Sequence, residues 1–378
     1  MHDSRLDRLA HVLVRYSTAV RKDDLVLITG PTGAAGLATA VYAQVLAAGG
    51  HPWVRLYPED CSEVLLKQGS TAQLGFCHPF ETHVVAKTNV RIVFWASENT
   101  KSLSNVDPGR QALVSKGRKP LLDLFMKRAG LPKSNPDRLR WVGTAVPTQA
   151  AAQDAEMSLR EYADFVFGAG KLDEKDPIAA WKKSSRAQAR LCDFLDKARE
   201  MHITAPGGTD IRFGIRGRRW INCDGHENFP DGEVFTAPIE DATEGTVVYD
   251  VPSVFGGREV ENVRLTFRAG KVVEASAGKN EAFLVKMLDQ DPGARILGEL
   301  AIGTNYSIQK GTRNTLFDEK IGGTFHAALG AAYPESGGRN KSGLHWDMVC
   351  DLRRGGRIMV DGEVISERGR FKRADWPR

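Results

Sequence analysis

Five residues in the second half of the chain carry side chains of the kind that bind divalent metal ions. They are two imidazoles and three carboxylates: Glu233, Glu299, His326, His345 and Asp347. His345 and Asp347 stand two positions apart, and alternate side chains of an extended strand share a face. This pair can therefore point into one pocket while Trp346 faces the other way. Together the five residues resemble the ligand set of a metal-dependent hydrolase.

The number of candidate ligands bears on the number of metal ions. A single catalytic zinc usually takes three protein ligands and keeps a fourth position for water. Five candidates, with Tyr333 as a possible sixth, exceed what one open site needs. Two ions bridged by a carboxylate would use all five and leave room for a shared water. We therefore expect a dinuclear centre.

Each candidate also has an ordinary structural explanation when taken alone. Glu233, for example, follows the turn-forming run Pro230-Asp231-Gly232 and could be a solvated loop acid. The surroundings of all five favour a shared role, because small and apolar residues flank each acid or imidazole. Burying such groups without partners is costly, so a bound metal is the more economical interpretation.

Several motifs together resemble the thermophilic aminopeptidase family, the aminopeptidase T, aminopeptidase S and PepS type. The diagnostic ones lie in the last 150 or so residues, and the similarity extends upstream over most of the chain. They are Gly232-Glu233-Val234-Phe235-Thr236-Ala237-Pro238, Leu297-Gly298-Glu299, Leu316-Phe317-Asp318-Glu319-Lys320, Gly323-Thr324-Phe325-His326, and Asn340-Lys341-Ser342 followed by His345-Trp346-Asp347-Met348.

The resemblance implies a cytoplasmic metallo-aminopeptidase that holds two zinc, cobalt or manganese ions and forms a homodimer. It places the family's metal ligands on Glu233, Glu299, His326, His345 and Asp347, and its active-site tyrosine on Tyr333. The substrate would be a peptide or an aminoacyl amide. One departure is the segment from His326 to His345, which spans 19 positions and is shorter than the family pattern, so we expect a reshaped substrate pocket.

Two of these residues have expected catalytic roles. Glu299 is the first candidate for the general base, either as a ligand or beside the ligands. Tyr333 follows His326 by seven positions, about two turns if that stretch is helical. Its phenol could then hydrogen-bond the developing oxyanion. Glu319 and Lys320 are expected to line the cleft.

Two other functions remain open. A 2,5-dihydroxypyridine dioxygenase, which resembles the same fold, would need only a two-His-one-carboxylate Fe(II) site, and His326, His345 and Asp347 supply one. Such a site has no evident need for Glu233 and Glu299, which favours the peptidase. A peptide-binding relative without catalysis is the third possibility.

Composition agrees with a globular enzyme. The chain has 378 residues, 42% hydrophobic and 26% charged, with a net charge of +5 and no long charge runs, so we expect two domains and no nucleic-acid partner. The five cysteines are widely spaced with no Cys-x-x-Cys pair, which is typical of cytoplasmic proteins. No apolar run approaches the 18 residues of a membrane span, and the polar N-terminus predicts a soluble, unprocessed protein.

The order of predicted elements defines the fold class. Strands alternate with helices through residues 6–145, which predicts an α/β domain with a mostly parallel sheet. The glycines at 30–36 lack both the P-loop and the Gly-x-Gly-x-x-Gly pattern.

Helices are predicted at 158–168 and 177–201, and short β segments follow. We place the boundary between an α/β domain with a helical linker, 1–185, and a β-rich α+β catalytic domain, 186–378. A helix at 291–300 is expected to deliver Glu299, and 357–365 reads as a closing hairpin.

Overall fold

The computed structural model of the chain describes residues 3–378, so Met1 and His2 of the polar N-terminus lie outside the described residues. The chain divides into two compact units. The first contains residues 1–178 and 225–229, and the second contains 179–224 and 230–378.

The helices of the structure fall mainly in the first half of the chain. They are α1 (Ser4–Val12), α2 (Ala35–Ala47), α3 (Asp60–Gln68), α4 (Thr71–Leu74), α5 (Pro79–Lys87), α6 (Pro108–Gly117), α7 (Lys119–Ala129), α8 (Gln149–Asp154), α9 (Leu159–Ala169), α10 (Pro177–Leu195), α11 (Glu281–Leu288) and α12 (Thr315–Asp318). A π-helical turn, Leu13–Ser17, extends α1, and 3-10 turns cover Thr32–Ala34 and Pro334–Ser336. No helix among residues 3–378 is long and apolar enough to cross a membrane.

The strands are concentrated in the second half of the chain. They are β1 (Leu25–Pro31), β2 (His51–Tyr57), β3 (Val90–Trp95), β4 (Arg140–Ala145), β5 (Glu200–Ala205), β6 (Thr209–Gly214), β7 (Ile221–Cys223), β8 (Asn228–Phe229), β9 (Glu233–Thr236), β10 (Thr243–Tyr249), β11 (Ser253–Phe255), β12 (Arg258–Val260), β13 (Val263–Arg268), β14 (Lys271–Ser276), β15 (Leu297–Gly303), β16 (Thr324–Gly330), β17 (His345–Asp351), β18 (Arg357–Val360), β19 (Glu363–Glu367) and β20 (Arg370–Phe371).

A parallel sheet forms the centre of the first unit, in the order β2-β1-β3-β4-β8. The inner strands β1, β3 and β4 are mostly apolar, which is typical of a parallel sheet that helices cover. Gly30 of β1 packs tightly on β3, where a Cβ atom would lie 2.7 Å from that of Phe94. The expected mostly parallel α/β domain is confirmed, and Gly30 within β1 allows the close approach of β1 and β3.

Antiparallel sheets form the second unit. One runs β14-β13-β10-β6-β5-β18-β19-β20, a second runs β17-β16-β15-β9-β7, and β11 pairs with β12. The two larger sheets share one hydrophobic core, in which Phe325 of β16 contacts Phe213 of β6 and Tyr249 of β10. The predicted closing hairpin is present as β18 and β19, with Asp361 and Gly362 at positive φ in its turn.

Two predicted helices are wrong in part or in full. The segment predicted as a helix at 291–300 contains no helix: its first half consists of turns, and β15 starts at Leu297 and carries Glu299. Every residue of β15 is buried, so its pattern of small and apolar residues lacks the polar alternation that marks a half-exposed strand. The helix predicted at 177–201 ends at Leu195, and β5 begins at Glu200.

A candidate metal centre on one face of a sheet

Four neighbouring strands of the second unit carry the five predicted ligands. Glu233 lies on β9, Glu299 on β15, His326 on β16, and His345 and Asp347 on β17. The sheet order β17-β16-β15-β9 makes these strands direct neighbours. All five predicted residues are therefore in the same sheet, although 114 positions separate the first from the last.

The strand register places the five side chains on the same face. Glu299 and Asp347 both pair with Ala328, one from each side. His326 pairs with Ala301, and His345 pairs with Gly330. Residues paired across strands share a face, so small residues occupy the positions between the ligands and leave space above the sheet.

The opposite face belongs to the hydrophobic core. Alternate residues of the same four strands point there: Val234, Leu300, Ile302, Phe325, Ala327, Leu329, Trp346, Met348 and Cys350. Trp346 packs against Phe255 and Phe283 and donates from its indole nitrogen to Ser253 Oγ at 2.8 Å. The predicted alternation around Trp346 is thus confirmed. Because Trp346 is buried in this core, it holds His345 and Asp347 on the other face.

Glycine makes the position of Glu299 possible. The register shifts between Leu297 and Glu299, which is a β-bulge at Gly298. A Cβ atom on Gly298 would lie 2.1 Å from the carbonyl oxygen of Ala331, so no larger residue fits there. A bulge changes which face a side chain occupies, and here it lets Leu297 lie in the core while Glu299, in regular alternation with Ala301, lies on the ligand face.

Glu299 lies between the two histidines. Its Oε1 is 3.5 Å from Nε2 of His326, and its Oε2 is 3.4 Å from Nε2 of His345. Nε2 of His326 is also 3.2 Å from Oε2 of Glu233, and Nε2 of His345 is 3.6 Å from Oδ2 of Asp347. Each imidazole thus faces one oxygen of Glu299 and one oxygen of a second carboxylate.

These contacts define two groups of three residues that share Glu299. The inner group is Glu233, Glu299 and His326, and the outer group is Glu299, His345 and Asp347; within each, one ligand atom per residue lies within 4.8 Å of the others. All three side chains of the inner group are at most 6% exposed, whereas His345 of the outer group is 28% exposed. The outer group is therefore the one nearer to solvent.

The backbone sets the tautomer of His345. Its Nδ1 lies 2.8 Å from the carbonyl oxygen of Ala331, to which only a protonated ring nitrogen can donate. In the neutral imidazole the free lone pair is then on Nε2, the atom that faces Glu299 and Asp347. Such a bond on the far side of the ring is the usual way proteins orient a metal-binding histidine.

Several buried polar atoms of the centre make no well-formed hydrogen bond among residues 3–378, although two of them, Oε2 of Glu233 and Nε2 of His326, lie 3.2 Å apart as an ion pair. They are Oε2 of Glu233, both ring nitrogens of His326 and Oδ1 of Asp347. Leaving such groups unpaired costs roughly 1–3 kcal/mol each. The chemistry of these donors fits a divalent cation, since carboxylate oxygens and imidazole nitrogens are ligands for zinc, cobalt and manganese.

A buried lysine stands beside the inner group. Nζ of Lys320 lies 2.7 Å from Oε1 of Glu233 and 3.8 Å from Oδ1 of Asp231, and it also pairs with Oε1 of Glu319. The Lys320 side chain is 1% exposed. We expected Glu319 and Lys320 to line the cleft, but the sequence did not predict that they pair with each other and with Glu233. This pairing forms because the chain turns back toward β9 after the short helix α12.

The pKa values follow from burial and these neighbours. Burial opposes ionisation of Glu299, but the imidazoles of His326 and His345 outweigh it and lower the pKa of Glu299 to about 2. Burial lowers the pKa of His345, yet Glu299 and Asp347 raise it to about 9. Burial and the negative charges of Glu233 and Asp347 raise the pKa of Glu319 to about 8, despite the opposing charge of Lys320.

Tyr333 reaches the centre by a different route from the one expected. The stretch after His326 is the rest of β16 and a loop, so the spacing of two helical turns is wrong. The Tyr333 ring instead packs 5.4 Å from the Phe235 ring and 5.2 Å from the His345 ring, measured between centroids. Burial and the carboxylates of Glu299 and Asp347 raise the pKa of its phenol, so the phenol keeps its proton at neutral pH.

An ion pair fastens the short loop that follows Tyr333. Glu240 accepts from Nη2 of Arg218 at 2.6 Å with one carboxylate oxygen and from the backbone nitrogen of Arg339 at 2.7 Å with the other. The backbone nitrogen of Arg219 donates to the carbonyl of Ser336 at 3.2 Å. The loop that was expected to be shortened is therefore held by hydrogen bonds at Ser336 and at Arg339.

Sequence reasoning missed Asp231, Cys223 and the neighbours of Lys320. Cys223 pairs with Glu233 across β7 and β9, and it forms a further group with Asp231 and Glu233. Burial and the charge of Asp231 raise the pKa of the Cys223 thiol well above its ordinary value. The sequence signal available for Asp231 was its place two residues before a candidate ligand, where it looked like part of a turn.

Comparison with known proteins agrees with this geometry. The model of the thermophilic metalloprotease family, M29, matches residues 2–371. The chain belongs to the M29 family. Aminopeptidase T of Thermus aquaticus is 31% identical over 300 residues, covering 72% of this chain and 69% of that protein. Aminopeptidase 2 of Geobacillus stearothermophilus is 27% identical over 356 residues, covering 88% of this chain and 84% of that protein.

Two solved structures share the M29 fold of this chain. Wild-type AmpT from Thermus thermophilus has a TM-score of 0.84 at 24% identity and covers 98% of this chain and 99% of its own. The 2,5-dihydroxypyridine dioxygenase from Pseudomonas putida KT2440 has a TM-score of 0.60 at 12% identity, with 98% of each chain covered. At these identities the likeness shows the fold, and the α/β plus β-rich architecture expected from sequence is confirmed.

Proposed function

We propose that the protein is a metal-dependent aminopeptidase whose centre holds two divalent ions. The observation that carries the proposal is the position of Glu299, which directs one carboxylate oxygen toward His326 and the other toward His345. A carboxylate held in this way suits a bridge between two ions, one in the inner group and one in the outer group. The M29 relatives that are named aminopeptidases support the reaction class.

The charges of the buried side chains support two ions rather than one. Five carboxylates meet here, those of Asp231, Glu233, Glu299, Glu319 and Asp347, together with the ammonium of Lys320. Glu319 is protonated at neutral pH, because its pKa is raised to about 8, so the other four carboxylates and Lys320 sum to −3. One divalent ion would leave a net negative charge in a buried site, and uncompensated buried charge is strongly unfavourable.

The protein side chains divide the work of the proposed reaction. Glu233 and His326 would hold the inner ion, His345 and Asp347 the outer ion, and Glu299 both. When bound, such ions lower the pKa of water and polarise the scissile carbonyl. Tyr333 lies beside His345 with its phenol protonated, and we assign it to donate a hydrogen bond to the oxyanion that develops on the carbonyl.

The substrate would be a peptide or an aminoacyl amide with a free N-terminus, in the cytoplasm, and the working form would be a homodimer. Zinc, cobalt and manganese all suit the mixed imidazole and carboxylate set. The ring-cleaving dioxygenase remains the alternative because it shares the fold. A single Fe(II) ion held by His326, His345 and Asp347 would, however, not require Glu233 or Glu299 as ligands.

One set of measurements on purified protein tests the proposal. Metal analysis by plasma mass spectrometry should give close to two divalent ions per chain, and aminoacyl amides should be hydrolysed in a chelator-sensitive manner. Oxygen uptake with 2,5-dihydroxypyridine, together with one tightly held iron per chain, would establish the dioxygenase instead. Peptide binding without turnover, across zinc, cobalt and manganese, would point to a binding protein without catalysis.

A further inference from the structure

A small cavity adjoins the outer ligand group. It has a volume of about 10 Å³, and Asp347, Thr315 and Arg313 are among the residues that line it. That volume is about what one water molecule requires, and a carboxylate oxygen is of similar size. Among the described residues that line the cavity, Arg313 is the one with a positive charge. A ligand atom in this cavity therefore lies between a candidate metal ligand and an arginine.

The backbone holds Arg313 in an unusual conformation. Its φ angle is 61°, in the left-handed region that residues with a long side chain rarely adopt. The buried carboxylate of Asp318 fixes this turn, because it accepts from the backbone nitrogen of Thr312 at 2.7 Å, from Oγ1 of Thr312 at 3.0 Å and from the backbone of Arg313. Strained backbone that its surroundings hold in place is concentrated at ligand-binding and active sites.

A carboxylate of a neighbouring hairpin anchors the Arg313 side chain. Nε of Arg313 donates to Oε2 of Glu259 on β12 at 2.6 Å, and the two side chains are 26% and 16% exposed. The other oxygen of Glu259 accepts from Nζ of Lys279 at 2.6 Å. A guanidinium has five N–H donors in a rigid planar fork, and the bond to Glu259 uses one of them. Arg313 is thus oriented at its Nε while it lines the cavity.

Arginine at this place suits a negatively charged group of the substrate. A guanidinium binds a carboxylate through charge-assisted hydrogen bonds, which are about twice as strong as those to a neutral acceptor such as an amide oxygen. In a dipeptide the C-terminal carboxylate follows the scissile bond by a single residue, so it lies close to the reacting carbonyl. A longer peptide or a dipeptide amide has a neutral amide at the same position.

We propose that Arg313 binds the C-terminal carboxylate of a dipeptide substrate and so gives the centre a preference for dipeptides; the inference rests on the proposed function. Arg313 then determines specificity and takes no part in bond breaking. Glu259 is a positioning residue, which acts only by holding the guanidinium.

The test compares leucylglycine with leucylglycine amide, two substrates that differ only in the charge of the C-terminal group. In the wild type kcat/KM should be higher for the free acid. Arg313→Met keeps an unbranched side chain and removes the charge, and kcat/KM for leucylglycine should fall by about tenfold to a hundredfold. For the amide it should stay within about threefold. Equal losses on the two substrates, or no loss on either, would overturn the proposal.

A second pair of substrates identifies which carboxylate Arg313 binds. The p-nitroanilides of glutamate and glutamine place a carboxylate, or its neutral equivalent, in the side chain of the N-terminal residue. Arg313→Met should change kcat/KM for these two by the same factor. A loss confined to the glutamate substrate would overturn the assignment to the C-terminal carboxylate.

Two further variants keep the test valid if Arg313→Met does not fold. Arg313→Lys retains the charge without the planar fork and should keep part of the preference for leucylglycine. Glu259→Gln weakens the anchor and should reduce the preference by a smaller factor than Arg313→Met. A preference unchanged from the wild type in both variants would contradict the proposed contact.

Controls separate this inference from the proposed function. Arg357→Met removes an exposed arginine of β18 that pairs with Glu367 at 2.9 Å, and it should leave the ratio of the two kcat/KM values unchanged. Thermal melting and metal analysis of each variant verify folding and ion content. If the wild type hydrolyses both substrates and Arg313→Met behaves as the wild type, the inference alone is wrong. If the wild type binds two ions and hydrolyses neither substrate, the proposed function fails and the inference falls with it.

Discussion

The ammonium of Lys320 lies 2.7 Å from one carboxylate oxygen of Glu233, at a depth where neither side chain is more than 6% exposed. The second oxygen of Glu233 turns the other way and lies 3.2 Å from His326. Lys320 therefore occupies one side of Glu233 and leaves the opposite side for the centre. Burial lowers the pKa of Lys320, but Glu233, Glu319 and Asp231 raise it well above its ordinary value, so the lysine is charged.

Removing this buried charge should destabilise the protein. In Lys320→Met the carboxylates of Glu233 and Glu319 lose their shared ammonium, and breaking a buried pair from one side costs about 3–5 kcal/mol. Chemical denaturation of the metal-free protein measures the free energy of unfolding. Lys279→Met is the control, since Lys279 pairs with Glu259 and Glu261 at the surface and should leave the unfolding transition nearly unchanged. A Lys320→Met protein as stable as this control would contradict the assigned charge.

Replacing Glu299 should remove more bound metal than replacing Glu233. Glu233→Ala removes a carboxylate from the inner group alone, so about one of the two ions should remain bound. Glu299→Ala removes a carboxylate from both groups, and both ions should be lost on dialysis. Plasma mass spectrometry of the dialysed variants gives the counts. Equal counts for the two variants would show that Glu299 does not connect the groups.

Metal binding should release protons in a defined pH range. The pKa of His345 is raised from 6.5 to about 9, so in metal-free protein the imidazolium contributes its full stabilisation below about pH 6.5 and loses it as the pH rises through about 9. A metal ion requires the neutral ring. Between these limits, binding should displace a proton from His345, and the stabilisation by metal should increase with pH.

Isothermal titration at pH 7.5 in buffers of different ionisation enthalpy measures this release. The observed binding enthalpy should depend on the buffer in the wild type. In His345→Gln that dependence should become smaller, because one titrating ligand is missing. The same buffer dependence in both proteins would assign the protons to other groups.

Weakening the ion pair between Glu240 and Arg218, which holds the loop after Tyr333, should lower the turnover number of the enzyme. Glu240→Gln weakens the bonds to Arg218 and to the backbone of Arg339, so the Tyr333 ring should lose its fixed position beside His345. Displacement of a catalytic group by about 1 Å can cost up to about a hundredfold in rate. We expect a roughly tenfold fall in kcat at unchanged metal content. Asp241→Asn, at the exposed neighbouring position, is the control, and a normal kcat in Glu240→Gln would mean that other contacts hold the loop.

The identities of the five candidate ligands could be predicted from the sequence, and so could the pairing of His345 with Asp347. Their side-chain direction depends only on strand periodicity, with Trp346 buried between them. The order of residue types along the chain was enough to indicate a metal centre of the M29 kind. The mostly parallel α/β region and the β-rich region were also predictable, because alternation of strands with helices and runs of short glycine-punctuated strands are local patterns.

The position of Glu299 was decided by tertiary structure. Its strand is buried on both faces, so the sequence has no polar alternation to reveal a strand, and a helix was the natural but wrong interpretation. The bulge at Gly298 puts Leu297 and Glu299 on opposite faces, and the carbonyl of Ala331 excludes a side chain at Gly298. Neither fact can be derived from residues 291–300 alone.

The partners of Lys320 and the position of Tyr333 beside His345 could also be seen only in the folded chain. Lys320 meets Glu233 across 87 positions of sequence, and the register of β9 with β15 and the turn after α12 bring the two together. Tyr333 joins His345 through ring packing rather than helical spacing. Local sequence determined which residues could serve the centre, because side-chain chemistry and strand period are local properties. Long-range strand pairing decided which oxygen faces which nitrogen, because that depends on contacts between segments that the chain brings together only when it folds.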